Sequence, residues 1–195
     1  MISYKDIISK FQNEIDSHSG VEMESFSFHS YELPNYQDYR IDIREDGKFT
    51  NHFNKLNSFI GHSLYWFELN TNEDAIQLMH LLNDKRYPLW DREIDKRKVP
   101  VDNVNANSNI LYVGVRQGGK PRKKDNLTNI SGRIIQHLGY YDKGSTQGLQ
   151  LVHWAKEANV DIKINVIHFG NIQKEYLYIL EKLFALELKP LCGKH

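Results

Sequence analysis

The chain has 195 residues, 40% hydrophobic, 26% charged and 12% aromatic, with Lys+Arg and Asp+Glu equal at 25 each. This length and composition fit one globular domain, or one domain with a sizeable embellishment, and exclude a disordered or collagen-like chain. The single cysteine, Cys192, excludes an intramolecular disulfide framework and a zinc site built on several thiolates, and it suits a reducing compartment. The first twenty residues lack a continuous apolar run, and no stretch approaches the roughly 20 apolar residues of a membrane span, so a soluble, cytoplasmic protein is expected.

Residues 3–15, SYKDIISKFQNEI, place Tyr4, Ile7, Ile8, Phe11 and Ile15 at helical spacing and predict an amphipathic helix whose stripe must dock on something. Residues 22–60 alternate in ESFSFHS and YRIDIRED around a Glu45-Asp46-Gly47 turn, which reads as short strands or a hairpin. SLYWFEL at 63–69 is strand-like, and Thr71 then opens a helix over NEDAIQLMHLLNDK. Residues 84–109 are polar and hold Pro88 and Pro100, so an extended connection is expected there.

ILYVGV at 110–115 predicts a buried strand, followed by the basic loop GGKPRKKDN and a helix that begins near Thr128 with NISGRIIQHL. A further helix is expected over GLQLVHWAKEA, 148–158. In VDIKINVIHF, 160–169, the period of two exposes Asp161, Lys163 and Asn165 and buries Ile162, Ile164 and Val166. The last element, KEYLYILEKLFALEL, reads as a helix apolar nearly all round and stopped by Pro190.

The neutral total hides an asymmetry. Residues 1–109 hold 12 Lys+Arg against 18 Asp+Glu, while residues 110–195 hold 13 against 7. Between 110 and 148, Arg116, Lys120, Arg122, Lys123, Lys124, Arg133 and Lys143 face only Asp125 and Asp142. Such a field suits a polyanion, although a short basic run is also what a solvated turn looks like.

Several side chains carry chemistry at these places. Glu181 falls among Leu177, Tyr178, Phe184 and Ala185, so a carboxylate stands on a face expected to be largely buried, in an ion pair, at a snorkelling edge position or in a functional role. Arg133 and His137 are four apart and share a helix face, which is either an exposed polar face or a pair of converging tips. Tyr65 and Tyr112 lie mid-strand, where tyrosine is commonly a core aromatic with a bonded hydroxyl. The histidines show no paired zinc-ligand spacing, and no nucleophile-elbow pattern is present.

Taken in order over residues 61–195, these features resemble the GIY-YIG nuclease superfamily. SLYWFEL resembles the first signature strand, with Tyr65 at its tyrosine and Ser63-Leu64 in place of Gly-Ile; Tyr112-Val113-Gly114 matches the second triplet residue by residue. SGRIIQHL carries Arg133 and His137 at the family's arginine and helix histidine, and LEKLFALELKPL carries Glu181 at its metal-binding glutamate. The family's two strands form a tight hairpin, whereas here 46 residues separate Tyr65 from Tyr112.

The resemblance implies an α+β fold with a small three-stranded, mainly antiparallel sheet flanked by helices. Residues 61–195 would form the nuclease domain, with an insertion at about 70–109, and residues 1–60 a dependent N-terminal α/β embellishment. The implied activity is metal-dependent endonucleolytic hydrolysis of phosphodiester bonds in DNA, ahead of RNA, in a setting such as restriction, phage defence or a mobile element. Catalysis would fall to Tyr65, Tyr112, Arg133, His137 and Glu181. Either tyrosine would be the general base, Tyr65 ranked first, its pKa lowered by Arg133, Arg116 or a protonated His137. Arg133 would clamp the phosphate with two hydrogen bonds. Glu181 would hold one Mg2+ or Mn2+ ion. Arg116, Lys120, Arg122, Lys123 and Lys124 would contact the nucleic-acid backbone. A double-strand cut would require a homodimer or two successive nicks, and no membrane partner is expected. The competing expectation is a module on the same fold that grips nucleic acid without cutting it.

Overall fold

The computed structural model describes residues 4–17, 20–35, 43, 47–91, 96–105, 107–119, 129–141 and 147–193. Its centre is one antiparallel sheet of four strands, in the order β1-β4-β2-β3, built from β1 (Glu22–His29), β2 (His62–Leu69), β3 (Ile110–Arg116) and β4 (Asp161–Gly170). The expected sheet has three strands. The fourth, β1, contains ESFSFHS and pairs along β4 from Glu22 opposite His168 to His29 opposite Asp161. Its alternation has a physical outlet: Phe26 and Phe28 enter the core while Met23, Ser25 and Ser27 face out. The N-terminal region is thereby part of the sheet.

One face is covered by α2 (Thr50–Ser58), α3 (Asn72–Trp90) and α4 (Ile130–Leu138), whose Phe53, Leu56, Leu78, Leu82, Ile134 and Leu138 share the main core with Phe67, Leu69 and Ile164. The other face carries α5 (Lys174–Leu188), with Leu177 and Leu180 packed on Leu64 and Phe169, and the second half of α1 (Tyr4–Ser17), which adds Phe11 and Ile15. The stripe of α1 docks only there, and Ile7 and Ile8 remain exposed.

Four local expectations are corrected. Residues 50–58 form a helix where short strands were expected; with two buried apolar residues, Phe53 and Leu56, its sequence signal is slight, and its stability comes from packing under β1 and α4. Helix α3 starts as expected, with Thr71 Oγ1 accepting from Asp74 N–H at 3.0 Å, but runs on through Pro88 to Trp90 because Leu89 is buried and anchors the last turn. The helix expected over 148–158 is two short 3-10 turns, Leu151–His153 and Ala155–Ala158. Trp154 divides them, sinking into the core with its indole N–H donated to Leu149 O at 2.7 Å. Asn165, expected on an exposed side, is buried, donating to Glu68 Oε2 at 3.0 Å and accepting from Ser25 Oγ at 2.9 Å. Apart from Ile43, the YRIDIRED segment lies outside the described residues, as do Glu45 and Asp46 of the expected turn.

Strand β3 is a sheet edge, and the C-terminal segment closes its start. Leu191 N–H donates to Ile110 O at 2.9 Å and Cys192 N–H to Leu111 O at 3.1 Å. Covering the edge in this way protects it from pairing with another chain. No helix among the described residues is long and apolar enough to cross a membrane.

Candidate active site

Strand register sets the frame. Three successive rows cross the sheet under α2 and α4: Glu22, His168, Ser63 and Arg116; then Glu24, Val166, Tyr65 and Gly114; then Phe26, Ile164, Phe67 and Tyr112. Alternation puts all of them on one face, so Arg116, Tyr65 and Tyr112 emerge on the side that α4 covers. Tyr65 lies directly opposite Gly114, and a Cβ there would stand 2.6 Å from Tyr65 Oη and 2.8 Å from Tyr112 Cε1. Glycine is required because the Tyr65 side chain lies across the neighbouring strand. The two tyrosine rings stack at a centroid distance of 6.2 Å and an angle of 22°.

Helix α4 supplies the polar tips. It begins at Asn129, whose Oδ1 accepts from Gly132 N–H at 3.1 Å and whose amide nitrogen donates to Asn57 Oδ1 of α2 at 2.9 Å. One turn in, Arg133 Nε donates to Tyr65 Oη at 2.9 Å, while its Nη1 donates to Gln136 Oε1 at 3.1 Å and to Gln147 O at 3.0 Å. A further turn brings His137 Nε2 within 2.9 Å of the same Tyr65 Oη.

The tautomer of His137 follows from its other nitrogen. Leu149 N–H, which can only donate, points at Nδ1 at 3.2 Å, so Nδ1 is an acceptor. Burial and the neighbouring Arg133 push the His137 pKa well below the ordinary value, so the ring is neutral and its one proton sits on Nε2. Tyr65 Oη therefore receives two N–H donors, one from Arg133 and one from His137. A protonated His137, expected among the cations that would lower a tyrosine pKa, is excluded by this environment.

Burial dominates the phenols. Tyr65 is fully buried, and burial raises its pKa despite the opposing pull of Arg133; Tyr112, partly buried, is raised for the same reason. Burial also works against the charge of Arg133, but the facing tyrosines more than offset it and hold the guanidinium above its ordinary value. Arg116, half-buried, is lowered by burial and by repulsion from Arg133. The site thus gathers two mutually repelling guanidiniums beside two neutral phenols.

Glu181 reaches this cluster from α5, across the β3 edge. It is half-buried, and burial raises its pKa against the pull of Lys182, the Val115 N–H and Arg133. It makes no ion pair among the described residues. Among the described residues, no group of three or more His, Cys, Asp or Glu side chains gathers to hold a metal. A single hard carboxylate whose charge is penalised by burial does fit an ion such as Mg2+, which keeps several waters and takes few protein ligands. Lys120, Arg122, Lys123 and Lys124 lie outside the described residues.

All five expected catalytic residues, with Arg116, converge on one place from β2, β3, α4 and α5. Sequence reading missed the groups that fix them. Gln136 shows a signal, three positions from Arg133 on the same helix. The Gln147 carbonyl and the Leu149 amide show none, because backbone groups carry no side-chain identity. Compared with protein families, curated proteins and solved structures, the chain finds no match.

Proposed function

We propose that the chain is a divalent-metal-dependent nuclease that hydrolyses phosphodiester bonds in DNA through a GIY-YIG-like site. The observation that carries this reading is the convergence of Tyr65, Tyr112, Arg133, His137, Arg116 and Glu181, drawn from four elements, around one phenol oxygen held by two N–H donors.

Hydrolysis by in-line attack needs a base for water, positive charge on the non-bridging oxygens and support for the departing oxygen. Arg133 and Arg116 supply the charge: their repulsion is relieved by an anion placed between them, so a phosphate is the natural occupant. Tyr112 is the tyrosine that meets water, because Tyr65 is sealed from solvent. This reverses the ranking expected from the sequence. Tyr65 instead positions Arg133, whose Nε it accepts, and holds its own orientation through His137. His137 is a fixed donor and takes no proton at Nε2. Glu181 would hold one Mg2+ or Mn2+ ion, which when bound supplies charge neutralisation at the phosphodiester.

The test incubates supercoiled plasmid with the protein in Mg2+ or EDTA, beside Arg133→Ala and Glu181→Ala. Nicking that requires the metal and vanishes in both variants supports the reading. One observation favours the alternative of a non-cutting nucleic-acid module: both phenols are held neutral, so no ionised base stands ready at rest. Salt-sensitive DNA binding with intact plasmid across metals, sequences and alkaline pH would select it.

A further inference from the structure

The strand that carries Arg116 is tied down just beyond it, where its sequence alone would let it fray. After Arg116 come Gln117, Gly118 and Gly119, and glycine loses more freedom on ordering than any other residue. Three hydrogen bonds hold this segment. Gln117 Nε2 donates to Tyr178 Oη of α5. Gly118 N–H donates to His62 Nδ1 at 2.9 Å, and Gly119 N–H to Ile60 O at 3.0 Å, in the register that Ser63 opposite Arg116 sets. The approach is close: a Cβ on Gly118 would stand 2.4 Å from Ile60 O.

Of the three bonds, only the one to His62 changes between neutral and acid pH. Gly118 N–H can only donate, so Nδ1 accepts and the neutral ring carries its proton on Nε2. Burial lowers the His62 pKa and keeps the ring neutral at neutral pH. A second proton occupies Nδ1, and the bond is lost. From β4, His168 bears on His62; Glu22 of β1 and Lys55 of α2, paired with each other, bear on His168. From β3 the neighbouring cation is Arg116 itself, opposite Ser63. Arg116 needs the restraint: it is half-buried and repelled by Arg133, so the two guanidiniums separate unless the backbone beneath Arg116 is held. We propose that His62 is a positioning residue for Arg116: by accepting Gly118 N–H it clasps the end of β3 to the start of β2, so the phosphate site between Arg116 and Arg133 is formed while His62 is neutral and loosened when His62 takes a proton. This role rests on the reading of the two arginines as a nucleic-acid phosphate site.

Fluorescence anisotropy of a labelled duplex in EDTA, at constant ionic strength and at about pH 7.5 and about pH 5, tests the clasp in wild type, His62→Ala and His62→Asn. Circular dichroism confirms that each protein is folded at both. Asparagine places Oδ1 where Nδ1 stands and does not titrate. At neutral pH, His62→Asn should bind as wild type does and His62→Ala about fivefold more weakly, the worth of one neutral hydrogen bond. On acidification, wild type should lose about fivefold relative to His62→Asn. The sign is diagnostic, because a histidine acting through its charge alone would gain affinity for the polyanion on taking a proton. A wild-type affinity that holds or rises relative to His62→Asn as pH falls, or a His62→Asn protein as weak as His62→Ala, overturns the proposal and leaves the nucleic-acid reading standing. A wild type that binds no duplex at either pH overturns both.

Discussion

Replacing Gly114 by alanine tests how tightly the candidate site is assembled. At an ordinary strand position alanine would stabilise relative to glycine by roughly 0.5–1 kcal/mol, since the unfolded chain loses freedom. Here the added Cβ would lie 2.6 Å from Tyr65 Oη, 2.8 Å from Tyr65 Cζ and 2.8 Å from Tyr112 Cε1, all inside contact distance. These are the hydroxyl and ring atoms of two packed side chains, and Tyr65 is pinned by Arg133 and His137. Forced overpacking of this kind costs roughly 1–3 kcal/mol. Swinging the ring aside instead sacrifices two buried hydrogen bonds worth about 1 kcal/mol each. Either route outweighs the backbone gain, and the expected net loss is about 2 kcal/mol. Urea denaturation of wild type, Gly114→Ala, Tyr65→Phe and the double variant reads it directly. Removing Oη relieves the shortest contact but leaves Cζ, so the double variant should recover part of the loss, with a coupling of about 0.5–1 kcal/mol. A Gly114→Ala protein as stable as wild type would show that β3 yields freely and that Tyr65 is not held across it.

Arg133→Lys keeps the charge but cannot reproduce the bonds to Tyr65, Gln136 and Gln147; single-turnover cleavage should fall about a hundredfold while duplex affinity changes little, and equal losses in both would contradict the positioning role. Because the pKa of buried His137 is depressed in the folded protein, stability is fully present above the unfolded value near 6.5 and is lost as pH falls below it, by up to about 1.4 kcal/mol per pH unit. Buried His168 and partly exposed His62 shift the same way and add less, so His137→Gln should remove most of the slope in urea titrations between pH 7.5 and 5, and an unchanged slope would refute the assignment. Since burial raises both phenols, the cleavage rate should climb about tenfold per pH unit from neutrality into the alkaline range and collapse in Tyr112→Phe; a rate already flat below neutral pH would exclude a tyrosine base.

Three strands, the start of α3, and α4 and α5 were legible because each carries a periodic apolar pattern long enough to specify one face. The side chains of the candidate site were legible for a related reason: Arg133 and His137 sit one turn apart, and Tyr65 and Tyr112 keep the parity of their strands. What was hidden depends on tertiary contacts. Helix α2 has too few apolar residues to announce itself, and 148–158 has a helical pattern that Trp154 overrides by diving into the core. The burial of Asn165 could not be read from alternation, because its partners Ser25 and Glu68 come from β1 and β2. The protonation of His137 depends on a backbone amide twelve residues away at Leu149, which no pattern of side chains reveals.

The central claim, that Glu181 and the tyrosine–arginine cluster form one hydrolytic site, is tested most directly by comparing cutting with binding in a single variant. End-labelled duplex is bound in EDTA and then cleaved under single-turnover conditions in Mg2+, for wild type and Glu181→Ala. The account predicts nearly equal affinities in EDTA, metal-dependent cleavage by wild type and none by Glu181→Ala. Cleavage by Glu181→Ala at the wild-type rate, or a wild type that binds but never cuts with any divalent ion, would contradict it.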